Sequence, residues 1–128
     1  MKINQKNYQT FKEFKMVLGM RVMTNDSRGH NEDPKHYAVK KMIDKILTDN
    51  GRDSFIEVLF ANIGAQADVF DLDNRTIYEV QKDVSEAVLK EKAKQFSHKL
   101  IADYLIIDLN KVPDNMAEAY EYLKKLIL

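Results

Sequence analysis

The sequence predicts a small α/β domain, with a central mixed β-sheet flanked by helices in the order α-β-β-β-α-β-α. Three observations point there. Segments with helical period alternate with short runs of β-formers. The 128 residues, 45% of them apolar, suit one domain with one core. Nothing divides the chain, which shows no repeat, no low-complexity segment and no long linker. We expect an N-terminal extension over residues 1–29, a core over 30–110 and a C-terminal helix over 111–128.

Taken in order, Tyr8, Phe11, Phe14, Val17 and Leu18 have the spacing of a short amphipathic helix. Gly19 and the β-branched Val22 weaken its end. TNDSRGHN, residues 24–31, is loop chemistry. A helix then begins with Asn31 or Asp33 as cap and Pro34 in the first turn, where its missing N–H costs nothing. Tyr37, Val39, Met42, Ile43, Ile46 and Leu47 form its apolar stripe. Gly51 suits the left-handed position that ends it. Glu32, His36 and Lys40, spaced four apart, run along one flank of the stripe.

SFIEVLF, residues 54–60, reads as a strand. A hairpin follows, with arms 68–72 and 76–81 around a turn at 73–75. Side chains alternate along a strand, so Asp68, Phe70 and Leu72 share one face, and Ile77, Glu79 and Gln81 share one face of the partner. A carboxylate pair at the open end of such a hairpin can hold a hard divalent cation. Residues 84–100 read as a helix. Asp83 and Glu86 have capping-box spacing, and Leu89, Ala93, Phe96 and Leu100 form the expected buried stripe, with Lys92 beside it. YLIIDL, residues 104–109, has the continuous apolar character of a strand covered on both faces. Pro113 opens a last helix, with Met116, Tyr120, Leu123 and Ile127 expected inward.

The absence of cysteine excludes disulfides, thiolate zinc sites and cysteine nucleophiles, and is compatible with a cytoplasmic location. No apolar run is long enough to cross a bilayer, and the N-terminal stretch lacks a signal-peptide core, so no membrane partner is expected. His30, His36 and His98 show no zinc-ligand spacing. The net charge is zero, but unevenly placed. Residues 1–45 carry ten Lys/Arg against five Asp/Glu, residues 46–80 two against seven, and residues 81–128 eight of each. An acidic centre behind a basic flank suits a metal-bearing pocket that faces a polyanion.

This arrangement resembles the core of the PD-(D/E)XK nuclease superfamily, which includes restriction endonucleases and archaeal Holliday junction resolvases. Asp68 stands at the family's strand aspartate, and Glu79-Val80-Gln81 at its (D/E)-x-K. Glu32 resembles the helix glutamate that many members use, and Lys92 with Phe96 is similar to a basic-x-x-x-aromatic pattern on the next helix. The resemblance spans roughly residues 30–110.

It implies a metal-dependent deoxyribonuclease, with Mg²⁺, or Mn²⁺ in its place, held by Asp68, Glu79, the Val80 backbone carbonyl and Glu32, and with His36 as a further candidate. Asp68, Glu79, Gln81 and Lys92 would be catalytic. Lys35, Lys40, Lys82 and Lys92 would contact DNA phosphates, in branched or single-stranded DNA as well as duplex. Relatives of this size often form homodimers. Gln81 departs from the usual lysine, bringing hydrogen bonds without charge. Lys92, or failing it Lys40 or Lys82, would have to supply the cation. A DNA-binding accessory protein of this fold without turnover, and a protein-interaction domain, stay open as other classes.

Overall fold

The structure, a computed structural model, describes residues 2–23 and 32–128. The expected loop 24–31, with Asn31 and His30, lies outside the described residues. Helix α1, Tyr8–Leu18, ends at Gly19, whose φ of 64° takes the left-handed form. A Cβ there would lie 2.9 Å from Asn62 Oδ1, so space as well as conformation favours glycine. The chain then enters β1, Met20–Val22, a three-residue strand that the sequence did not announce.

Helix α2, Pro34–Asp49, is capped by Asp33, whose carboxylate accepts from the Lys35 N–H at 2.8 Å. It closes as expected: Gly51 N–H donates to Thr48 O and Arg52 N–H to Leu47 O, the Schellman pattern. Strands β2, Ser54–Phe60, β3, Ala65–Asp71, and β4, Thr76–Gln81, form an antiparallel meander. Helix α3, Glu86–Gln95, crosses over to β5, Asp103–Asp108, which lies parallel to β4. Helix α4, Met116–Ile127, follows. The sheet is five-stranded and mixed, in the order β1-β2-β3-β4-β5, with β1 antiparallel to β2. The α/β class and the core order hold, with the expected N-terminal helix α1 in front of them and β1 added after it.

Apolar side chains divide between the two sides of the sheet. Phe14, Leu18, Phe60, Phe70, Ile77 and Phe96 pack on one side. Val39, Ile43, Tyr78, Val80, Ile107 and Leu123, from α2, the sheet and α4, pack on the other. Several details correct the expected boundaries. The cap of α3 is Ser85, which accepts from Val88 N–H, while Asp83 accepts from Ser85 N–H. α3 stops at Gln95 and none of its residues is buried; Phe96 and Leu100 enter the core from the segment after it. Met116 is exposed, not inward, and Asn115 caps α4.

One rung of the sheet breaks strict alternation. Phe55, Val58 and Phe60 pack on the α1 side, yet Ile56 packs on the α2 side. On β3, Ala65, Ala67 and Phe70 pack with the α1 side and Val69 with the other. The switch occurs at Glu57 and Asp68, which the flanking pairs Ile56↔Val69 and Val58↔Ala67 set opposite one another. Glu57 carries it with a φ of 57°, a left-handed conformation rare for a residue with a side chain. Alternation alone therefore misdescribes Asp68, which does not simply continue the face of Phe70 and Leu72.

Candidate functional site

The β3–β4 ladder runs from Asp71↔Thr76 to Val69↔Tyr78 and ends there. Beyond it, side chains replace the ladder. Asp68 N–H donates to Glu79 Oε1 at 3.1 Å, and Val80 N–H donates to Asp68 Oδ2 at 2.8 Å. Each carboxylate satisfies the other strand's backbone donor, so the fork of the hairpin fixes the two acids side by side. Burial on the α3 side leaves Glu79 only 3% exposed. Burial first, and then repulsion from Asp68, push its carboxyl up to about 7, against the pull of Lys92 and of its hydrogen bonds.

Two side chains meet the outer oxygen of Glu79. Gln81 Nε2 donates to Oε2 at 3.1 Å, and Lys92 Nζ, reaching back from α3, stands 3.5 Å from it. The structure thus brings Asp68, Glu79, Gln81 and Lys92 together, the set that the resemblance implied. Lys92 is the cation that faces the pair in place of a lysine at position 81.

From α2, His36 enters on the other side. Its Nδ1 lies 2.8 Å from Glu32 Oε1, and its Nε2 lies 2.9 Å from the Val80 carbonyl and 3.5 Å from Asp68 Oδ2. Both nearest atoms are pure acceptors, so both ring nitrogens must donate and the ring is an imidazolium. The bond towards Asp68, with those to Glu32 and Val80, outweighs burial and raises its pKa to about 9. A cavity of about 280 Å³ lined by Glu32, Asp33, His36 and Lys82 opens beside this histidine.

Glu32 is drawn away from the pair. Its Oε1 also takes the Lys40 ammonium at 2.5 Å. Burial would raise its pKa, but the bonds to Lys40 and His36 lower it. Lys40 in turn pairs with Glu57, whose other oxygen accepts from Gln66 Nε2 at 2.6 Å. Glu57 and Gln66 were missed from sequence; the only signal was a charge inside the apolar run SFIEVLF.

The expected phosphate contacts fare differently. Lys40 is 3% exposed and cannot reach DNA, a correction to that expectation. Lys35 is held by the Val112 carbonyl and by Asp114. Lys82 pairs with Asp33 yet stays 62% exposed.

The donor set can be weighed against a metal. Among the described residues, no three His, Asp or Glu side chains gather as one metal cluster. Two carboxylates and a carbonyl fit a hard ion that keeps several waters, the habit of Mg²⁺. The repulsion that raises Glu79 is what such an ion would relieve. No family model, no characterised protein and no solved structure matches the chain. No helix among the described residues is long and apolar enough to cross a membrane.

Proposed function

We propose that the chain is a metal-dependent nuclease that hydrolyses DNA phosphodiester bonds. The observation that carries this reading is the pair Asp68–Glu79, joined across the hairpin fork, buried at Glu79 and faced by Lys92. Asp68, Glu79 and the Val80 carbonyl, freed from His36, would hold Mg²⁺ or Mn²⁺. When bound, the ion lowers the pKa of a coordinated water and neutralises the phosphate. The protein does the positioning. Gln81 spends its amide N–H on Glu79, which leaves its carbonyl to accept from and aim the attacking water. Lys92 places a charge beside the negative charge that grows on phosphorus. Lys82, and Lys or Arg residues of α1, α3 and the 1–45 flank, would hold phosphates without reading bases.

Cleavage of linear, nicked, single-stranded and branched DNA with Mg²⁺ and with Mn²⁺ tests this. Glu79→Ala should lose at least about 100-fold in rate with the fold retained. Absence of cutting by the wild type on all four substrates would refute it. A binding module without turnover is favoured by one observation, the uncharged Gln81 with Glu79 already paired inside the protein. DNA binding without cleavage would select that reading. The homodimer expected for small nucleases has exposed Leu126 and Leu128 on and just beyond α4 as its candidate contact. A monomer mass by light scattering at high concentration would remove it.

A further inference from the structure

We propose that the Lys40 ammonium is a resident cation of this site, standing between Glu32 and Glu57 where a second divalent ion would otherwise sit, so that the chain loads one divalent ion and not two. This rests on the metal-dependent reading above.

Four carboxylates are chained together at this end of the sheet: Lys40 links Glu32, ahead of α2, to Glu57 on β2, His36 links Glu32 to Asp68 on β3, and backbone N–H groups of the hairpin fork link Asp68 to Glu79 on β4. Nucleases of two-ion design hold their ions a few ångströms apart. Here the four are divided into two pairs. Asp68 and Glu79 are joined across the fork, each accepting from a backbone N–H of the other's strand. Glu32 and Glu57 are spanned by a single ammonium, 2.5 Å from Glu32 Oε1 and in direct contact with Glu57 Oε1.

Nothing about this ammonium suggests a passing surface contact. Lys40 is almost wholly buried, and its Nζ also lies 6.0 Å from the centre of the Tyr37 ring, within cation–π range. Burial opposes its charge, but the bonds to Glu32 and Glu57 outweigh burial and keep it an ammonium. Lysine presents a compact point charge with three donors, the side chain nearest to an inorganic cation. Glu57 adopts a left-handed backbone within a strand, where glycine would be the unstrained choice. Its carboxylate uses both oxygens, one for Lys40 and one for Gln66. Two of the four acids are thereby already spanned by one internal cation, and the remaining pair matches the one or two carboxylates that a single hydrated ion takes.

Mn²⁺ titration followed by electron paramagnetic resonance tests the count. The wild type should bind one Mn²⁺ per chain with the six-line spectrum of an isolated ion, and Asp68→Asn should abolish it. Two ions per chain, with the broadening of a coupled pair, would overturn the inference while leaving the nuclease reading intact. No bound ion at millimolar Mn²⁺ would overturn both. Lys40→Ala opens the space between Glu32 and Glu57, and is expected to raise the count to two and broaden the spectrum. A count of one in the folded variant would overturn the proposal, and if the variant does not fold the wild-type count decides.

Discussion

Glu79 and His36 both titrate higher in the folded chain than they would in a free chain, and that fixes a pH dependence. For Glu79 the folded value is about 7 against an ordinary 4.5, so its protonated form favours folding. That contribution is complete below about 4.5 and is lost as pH rises through about 7. For His36 the window runs from 6.5 to about 9. Each pH unit within a window weakens folding by up to about 1.4 kcal/mol. Without divalent ions, Tm should therefore fall from pH 5 to pH 9. Glu79→Gln should flatten the part between 5 and 7; a slope unchanged in that variant would show the account of Glu79 to be wrong. Added Mg²⁺ should raise Tm more at pH 8 than at pH 5, because protons compete for the same carboxylate. Charge placement gives a second test. Lys92→Ala should cut the cleavage rate by about 100-fold, the scale of one lost charge contact. Gln81→Lys should restore part of that loss in the double variant, since both side chains meet Glu79 Oε2. Glu79 was legible from sequence because an acid in an alternating strand is costly to bury without a reason. Lys40 and Glu57 were not. Their pairing joins a helix to a strand 17 residues on, and it depends on a left-handed backbone that no glycine or asparagine announced.

Helix α3 shows how an element can be right in kind and wrong in attachment. Leu89, Ala93, Phe96 and Leu100 do have helical spacing, but the helix stops before Phe96, whose N–H closes onto Lys92 and Lys94 carbonyls. Leu89, the first member of the expected stripe, is 39% exposed, whereas Phe96 is buried among core side chains and packs 6.0 Å from the Tyr104 ring. The helix is thus pinned at its C-terminal end and by the Lys92–Glu79 contact. Phe96→Ala should cost about 3–5 kcal/mol by urea unfolding. Leu89→Ala should cost under about 0.5 kcal/mol, as a site outside both core clusters. Equal losses at the two positions would contradict this attachment. The end signals of α2 were readable because Asp33, Pro34 and Gly51 act locally. The strand β1 was not, since three residues carry too little pattern and its pairing with β2 spans some forty positions.

At the scale of the whole molecule, the split of charge along the sequence does not translate directly into a binding face. Of the four lysines assigned to phosphates, Lys40 serves the interior, Lys35 is tied to Asp114 and Lys92 to Glu79. Lys82 alone of these stands largely in solvent, lining the cavity that it shares with His36, the side chain in contact with Asp68. The carboxyl of its partner Asp33 is lowered, chiefly by the Lys82 bond and then by the Lys35 N–H. An exposed ion pair of this kind is worth little to stability, so Lys82 can exchange Asp33 for a phosphate at small cost. If the site meets DNA through this rim, binding should weaken steeply with salt, because each neutralised phosphate releases counterions. Lys82→Ala should then reduce the slope of log K against log salt by about one, with the same loss on every sequence. Glu57→Gln, which alters a partner of Lys40 and Gln66 and not a phosphate contact, should leave that slope unchanged. Measured by fluorescence anisotropy between 50 and 200 mM salt, a slope that ignores Lys82 would move the DNA path away from the α2 edge of the cavity and towards the lysines of α3.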